Sequence, residues 1–72
     1  MAIRKQVVRD QPFCRDGRAC GHRAMSAEVD HIKPLCFGGH PTERANLQGI
    51  CHACHVEKTR EEQKLFQQMQ GD

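Results

Sequence analysis

Cysteine is the residue that most constrains this chain: Cys14, Cys20, Cys36, Cys51 and Cys54 make five in 72 residues. A chain this short buries only about 60% of the surface its unfolded form exposes, and usually needs a disulfide, a metal or a partner to stay folded. Its apolar residues do not remove that need, because there is no Trp or Tyr and the Phe residues are scattered at Phe13, Phe37 and Phe66. The cysteines are therefore expected to hold the fold, either as disulfides or as metal ligands. The stretch from Met1 to Asp10 lacks the apolar run of a signal peptide. No segment approaches the ~18 apolar residues of a membrane span. The reading is a cytoplasmic chain with reduced thiols and no membrane partner, in which Cys51-x-x-Cys54 is half of a zinc site. An odd cysteine count fits one zinc site and a spare thiol better than a complete disulfide framework.

The formal net charge of +2 is too small to mark a nucleic-acid binder by its overall field. Four zinc-bound thiolates would lower it further. Its distribution is more informative: Arg4, Lys5, Arg9, Arg15, Arg18 and Arg23 load the first third, opposed by Asp10 and Asp16. That pattern suits either a solvated basic face or a surface for a polyanion.

There is no repeat, low-complexity run or linker, so residues 1–72 read as one domain. Residues 1–13 read as an extended or frayed N-terminal arm, with Pro12 disfavouring helix before it. Residues 14–25, rich in Gly, Arg and Cys, read as a loop or knuckle. Ala27 to Ile32 is a short strand stopped by Pro34, and Leu47 to Ile50 a second one. Between them Gly38, Gly39 and Pro41 mark a turn-rich connection. From His52 the residues are good helix formers, with Val56, Leu65, Phe66 and Met69 partly on one stripe and Gly71 as the stop. The order loop, strand, loop, strand, helix describes a small α+β domain.

Two fragments carry chemistry. Val29-Asp30-His31-Ile32 sets a carboxylate beside an imidazole, and Asn46-Leu47-Gln48 runs into Cys51-His52-Ala53-Cys54-His55. A general base, an orienting group and two ligands for a hard divalent cation are what phosphodiester hydrolysis needs. An imidazole suits the base, because it titrates near neutrality. Neighbours on a regular strand point to opposite faces, so Asp30 and His31 need a distortion, or a metal at the strand end, to serve one centre. On a helix Cys54 and His55 differ by about 100° in azimuth, so one can face a structural zinc and the other a cleft. The same Cys-x-x-Cys-His is also the attachment signature of c-type haem, but that reading needs export and leaves Asp30, His31 and Asn46 without a role.

Taken together, Asp30-His31-Ile32-x-Pro34-Leu35, Gly38-Gly39, Asn46-Leu47-Gln48 and Cys51-x-x-Cys54-His55-x-x-Lys58-Thr59 resemble the HNH endonuclease family. The likeness is strongest to its small phage and bacterial members, and it spans roughly Cys14 to Thr59. The resemblance implies a zinc-stabilised ββα-metal (treble-clef-like) hairpin with a C-terminal helix, its core at 14–59 and a helical extension at 60–72. It implies that His31 activates a water, and that Asn46 fixes the loop and holds the base histidine, often through a backbone carbonyl. Asp30 and His55 would bind a catalytic Mg2+ or Mn2+, with Ni2+ or Zn2+ as substitutes. Cys14, Cys20, Cys51 and Cys54 would bind the structural Zn2+. Here the chain departs from the family, whose upstream half-site is usually Cys-x-x-Cys, since position 17 is glycine. The longer Cys14-x5-Cys20 spacing leaves His22 or Cys36 open as a replacement ligand.

Lys58, Arg60, Lys33 and Arg23 are candidate phosphate contacts on double-stranded DNA. The implied reaction leaves 5′-phosphate and 3′-hydroxyl ends, and a monomer would nick. Relatives of this type often accompany the phage terminase, which implies a packaging protein as a partner. The alternative is a catalytically inactive zinc-stabilised module that binds nucleic acid or protein. It would use the same cysteines but has no need of Asp30, His31, Asn46 and His55 together.

Overall fold

The computed structural model describes residues 2–70, so the helix stop expected at Gly71 lies outside the described residues. Its centre is the expected hairpin: β1 (Glu28–His31) pairs antiparallel with β2 (Leu47–Ile50). The register sets Asp30 opposite Gln48 and His31 opposite Leu47. A long helix, here called α2 (His52–Gln70), follows β2 almost directly. This is the small α+β arrangement of hairpin and C-terminal helix expected from the sequence.

The N-terminal arm is a correction. Residues Ala2–Asp10 form a helix, α1, which packs on the hairpin. Pro12 restricts only the residue before it, and the helix ends two positions earlier, with the Gln11 N–H donating to the Val7 carbonyl at 2.8 Å. Ile3 and Val7, four apart, lie on one helical face, and Val7 is fully buried. Gln11 then ties α1 to the sheet, its side-chain oxygen accepting the Gly49 N–H at 2.8 Å.

Phe13 and Met25 form an isolated bridge around the knuckle at 14–25. The bidentate Asp16–Arg18 pair also reaches Glu61 and so fastens the knuckle to α2. Among the described residues the buried apolar set is small: Val7, Cys14, Leu47, Ile50, Cys51 and Cys54. Half of it is cysteine, as expected of a fold held by metal rather than by oil. The stripe expected on α2 is only partly used. Phe66 meets Phe37 edge-to-face with centroids 5.9 Å apart, whereas Val56, Leu65 and Met69 are exposed. Among the described residues no helix is long and apolar enough to cross a membrane.

Candidate functional site

Four thiols converge where the knuckle meets the start of α2. The sulfurs of Cys14, Cys20, Cys51 and Cys54 all lie within 4.8 Å of one another, and those of Cys54 and Cys20 are 3.6 Å apart. Zinc–sulfur bonds of about 2.3 Å in a tetrahedron put sulfurs roughly 3.8 Å apart, so the four residues fit a structural zinc. Backbone amides already point at the sulfurs: Ala19 N–H toward Cys54 Sγ at 3.3 Å and Cys54 N–H toward Cys51 Sγ at 3.4 Å. A hydrogen bond from the Ala24 backbone pulls the Cys20 thiol down to about 6, and burial pushes Cys54 up to about 12.

The two alternative ligands do not enter this cluster. Cys36 is exposed, and His22 turns its Nδ1 to the Cys14 carbonyl at 3.0 Å. Gly17 shows why the upstream spacing is long. It sits at φ +75, and a Cβ there would fall 2.4 Å from the His22 ring. The turn needs glycine at 17, and the second thiol comes three residues later. With Cys51 and Cys54 joined to two further thiols, the haem reading has no support.

On the other side of the hairpin a cleft of about 600 Å³ is lined by Arg4, Glu28, His31, Pro41, His52 and His55 among others. His31 closes one wall, its Nε2 lying 2.9 Å from the Pro41 carbonyl. A carbonyl only accepts, so Nε2 carries a hydrogen, and in the neutral imidazole the lone pair is then on Nδ1. Asn46 braces the loop that delivers this carbonyl. Its Oδ1 accepts the Lys33 N–H at 2.8 Å, while Nδ2 donates to the Lys33 and His40 carbonyls at 3.1 and 2.9 Å. Gly39 is required beside it, because a Cβ there would fall 1.8 Å from the Lys33 oxygen.

Asp30 lies behind the cleft wall rather than in it, only 7% exposed. Its Oδ2 accepts from Gln48 Nε2 at 3.0 Å and pairs with Lys58 Nζ at 3.1 Å. Its Oδ1 stands 3.8 Å from His55 Nε2. The other nitrogen of His55 meets Glu28, whose second oxygen meets His52 Nδ1 at 3.1 Å. These two contacts, that to His55 first, hold the Glu28 carboxyl below the usual range. An oxygen and a nitrogen 3.8 Å apart can both reach one ion at ligand distances of about 2.1 Å. A carboxylate on the far nitrogen is the usual orienting partner of a metal-binding imidazole. Asp30 and His55 could therefore offer one oxygen and one nitrogen to a common divalent cation.

The family model for HNH endonuclease matches residues 14–61. The chain belongs to the HNH endonuclease family. Curated relatives include the "DNA annealing helicase and endonuclease ZRANB3" proteins of Bos taurus and Homo sapiens, each 46% identical over 37 residues, 51% of this chain. The Mus musculus protein of the same name is 43% identical over 37 residues. The match spans only 3–4% of the length of these relatives. No solved structure matches the chain.

Within this HNH domain the hairpin resolves the opposed directions of Asp30 and His31. The carboxylate turns toward α2, and the imidazole toward the loop at Pro41. Lys58 differs from the phosphate contact expected of it. It is 3% exposed, with its ammonium on Asp30, Glu62 and the His31 carbonyl. Arg23, Lys33 and Arg60 are exposed, and Arg60 lines a shallow groove with His52 and His55. Three residues escaped the sequence reading: Glu28, Gln48 and Pro41. Glu28 had a signal, since residues two apart on a strand share a face and Glu28 shares that of Asp30. Gln48 and Pro41 act through cross-strand register and a backbone carbonyl, neither of which residue type announces.

Proposed function

We propose that this chain is a metal-dependent nuclease that hydrolyses phosphodiester bonds in double-stranded DNA, with His31 as the general base. The observation that supports this best is the pair of imidazoles on one cleft. His31 offers a free Nδ1 lone pair, and His55 holds its Nε2 3.8 Å from the Asp30 carboxylate. Asp30 and His55 would hold Mg2+ or Mn2+, with Ni2+ or Zn2+ as substitutes in vitro, because one carboxylate and one imidazole select weakly. When bound, the ion stabilises the negative charge that builds on the phosphoryl and leaving oxygens.

In this reading the chain's own groups do the rest. Nδ1 of His31 takes a proton from water as the water oxygen bonds to phosphorus and the bond to the 3′ oxygen breaks. The Pro41 carbonyl favours the imidazolium that forms, and Asn46 keeps that carbonyl in place. Lys58 and Gln48 fix Asp30, while Glu28 fixes His55. The exposed cations Arg23, Lys33 and Arg60 meet backbone phosphates. One such site cuts one strand, so a monomer nicks. A DNA substrate accords with relatives whose name includes endonuclease. The products follow from the family chemistry: 5′-phosphate and 3′-hydroxyl ends, which DNA ligase reseals without prior phosphorylation. Nicks that ligase cannot seal contradict this polarity. A phage setting with a terminase partner rests on the family resemblance, and co-purification with a terminase subunit tests it.

The inactive binding module predicts duplex binding with no nicking in Mg2+ or Mn2+. It has no use for the tautomer of His31 or for the facing Asp30 and His55.

A further inference from the structure

The basic N-terminal third is left largely unused by the cleft, and α1 lies outside the matched family region at 14–61. Arg4, Lys5 and Arg9 are all exposed on this helix. At about 100° per residue they fall within roughly 140° of one another. Lys5 and Arg9 point away from buried Val7, while Arg4 stands only about 60° from it, at the edge nearer the hairpin. Lys5 and Arg9 are separated by about 6 Å along the axis at 1.5 Å per residue. A shallow groove runs along this face, lined by Arg4, Lys5, Val8, Arg9 and Ala27. Arg4 also lines the cleft that holds His31 and His55, and its guanidinium is anchored on the Ala27 carbonyl at 3.0 Å. The groove and the cleft therefore meet at Arg4. The one acidic neighbour on the helix, Asp10, stands 4.0 Å from both Arg9 and Arg44 and leaves the row net positive.

We propose that the outer face of α1, through Arg4, Lys5 and Arg9, is a second phosphate-binding surface that grips the backbone of duplex DNA beside the cleft. This rests on the nuclease reading and extends it. The cleft holds the scissile phosphate, and α1 takes phosphates of the same duplex further along. A row of cations at helical spacing, continuous with the cleft, complements a rod whose charges are regularly spaced. Such contacts give affinity and register without sequence preference.

The test compares wild type with the Lys5→Ala/Arg9→Ala double variant, leaving Arg4 to its structural contact. Alanine is the best helix former, so α1 should survive the change. Binding to a short fluorescent duplex is measured without added divalent ion across a salt series. The double variant should bind roughly tenfold more weakly near 0.1 M salt, and its log–log salt slope should fall by about two. Lys64→Ala, on the distal part of α2, should leave the slope unchanged. An unchanged slope in the double variant overturns the proposal, as does an equal loss per charge in Lys64→Ala. Loss of binding to anionic phosphatidylglycerol vesicles with DNA affinity intact also overturns it, and would assign the face to a membrane surface. Failure of wild type to nick leaves this measurement standing, whereas failure of wild type to bind the duplex sinks both readings.

Discussion

The first turn of α2 presents two sites of opposite character. On one side Cys51 and Cys54 are buried against Cys14, Cys20 and Ile50. On the other, His55 keeps 38% of its side chain exposed and reaches Glu28 and Asp30. The thiol side offers one ligand type for one ion, and such an ion would supply the energy of closure. The imidazole side is assembled from β1, β2, the loop at Pro41 and α2 by individual hydrogen bonds. The contrast shows a division of labour. On the proposed function, a zinc-bound thiol cluster would supply stability, while the cleft would keep groups open and oriented for a reactant.

The largest effect should come from breaking the thiol side. Structural zinc contributes apparent energies of order 10 kcal/mol in small domains, more than a core of this size can replace. Cys54→Ser, or treatment with a strong chelator, should abolish the helical circular dichroism signal, whereas Cys36→Ser should leave one zinc per chain. A Cys54→Ser protein that stays folded without metal would erase the division of labour.

Next comes the buried ion pair behind the cleft wall. Lys58→Ala strands Asp30, a buried carboxylate, and should cost about 3 kcal/mol in denaturant unfolding of the zinc-loaded protein. A loss below ~1 kcal/mol would show that Lys58 does not brace Asp30.

Glu28→Gln probes orientation alone. Losing the carboxylate partner of His55 should weaken Mn2+ binding by about 10–100-fold, read by calorimetry, with zinc content unchanged. Unaltered Mn2+ affinity would remove Glu28 from the site.

A pH dependence is also expected on the thiol side. Burial pushes the Cys54 thiol up, favouring its protonated form without metal, whereas the Ala24 backbone hydrogen bond pulls that of Cys20 down. Zinc must displace protons, so its affinity should rise from pH 6 to pH 8 and fall in the reverse direction. Competition against a chelator at both pH values measures this. A flat profile would contradict the protonation states assigned here.

The two sides also differ in how legible they were. Cys51-x-x-Cys54 could be read from spacing because thiolate ligands and tetrahedral geometry leave few options. The hairpin and the start of α2 were read correctly because Pro34, Gly38, Gly39 and Pro41 mark the connection between the strands and helix-forming residues follow His52. The α1 helix was missed because Pro12 was given reach beyond its neighbour, while the Ile3 and Val7 pair was passed over. Around the cleft, His31, Asn46, Asp30 and His55 were legible only as residue types in order. Lys58 was misread as a phosphate contact because its helical position says nothing of the carboxylate that lies under it. Glu28, Gln48 and Pro41 take part through pairing register and loop closure, which exist only once the hairpin forms.

The central claim is that His31 is the base of a metal-dependent site, and nicking of supercoiled plasmid by His31→Ala tests it most directly. With Mg2+ or Mn2+ present, wild type should convert supercoiled to open-circular DNA. A zinc-loaded, folded His31→Ala protein should do so about 10²–10⁴-fold more slowly. Equal nicking rates for the two proteins would contradict the account.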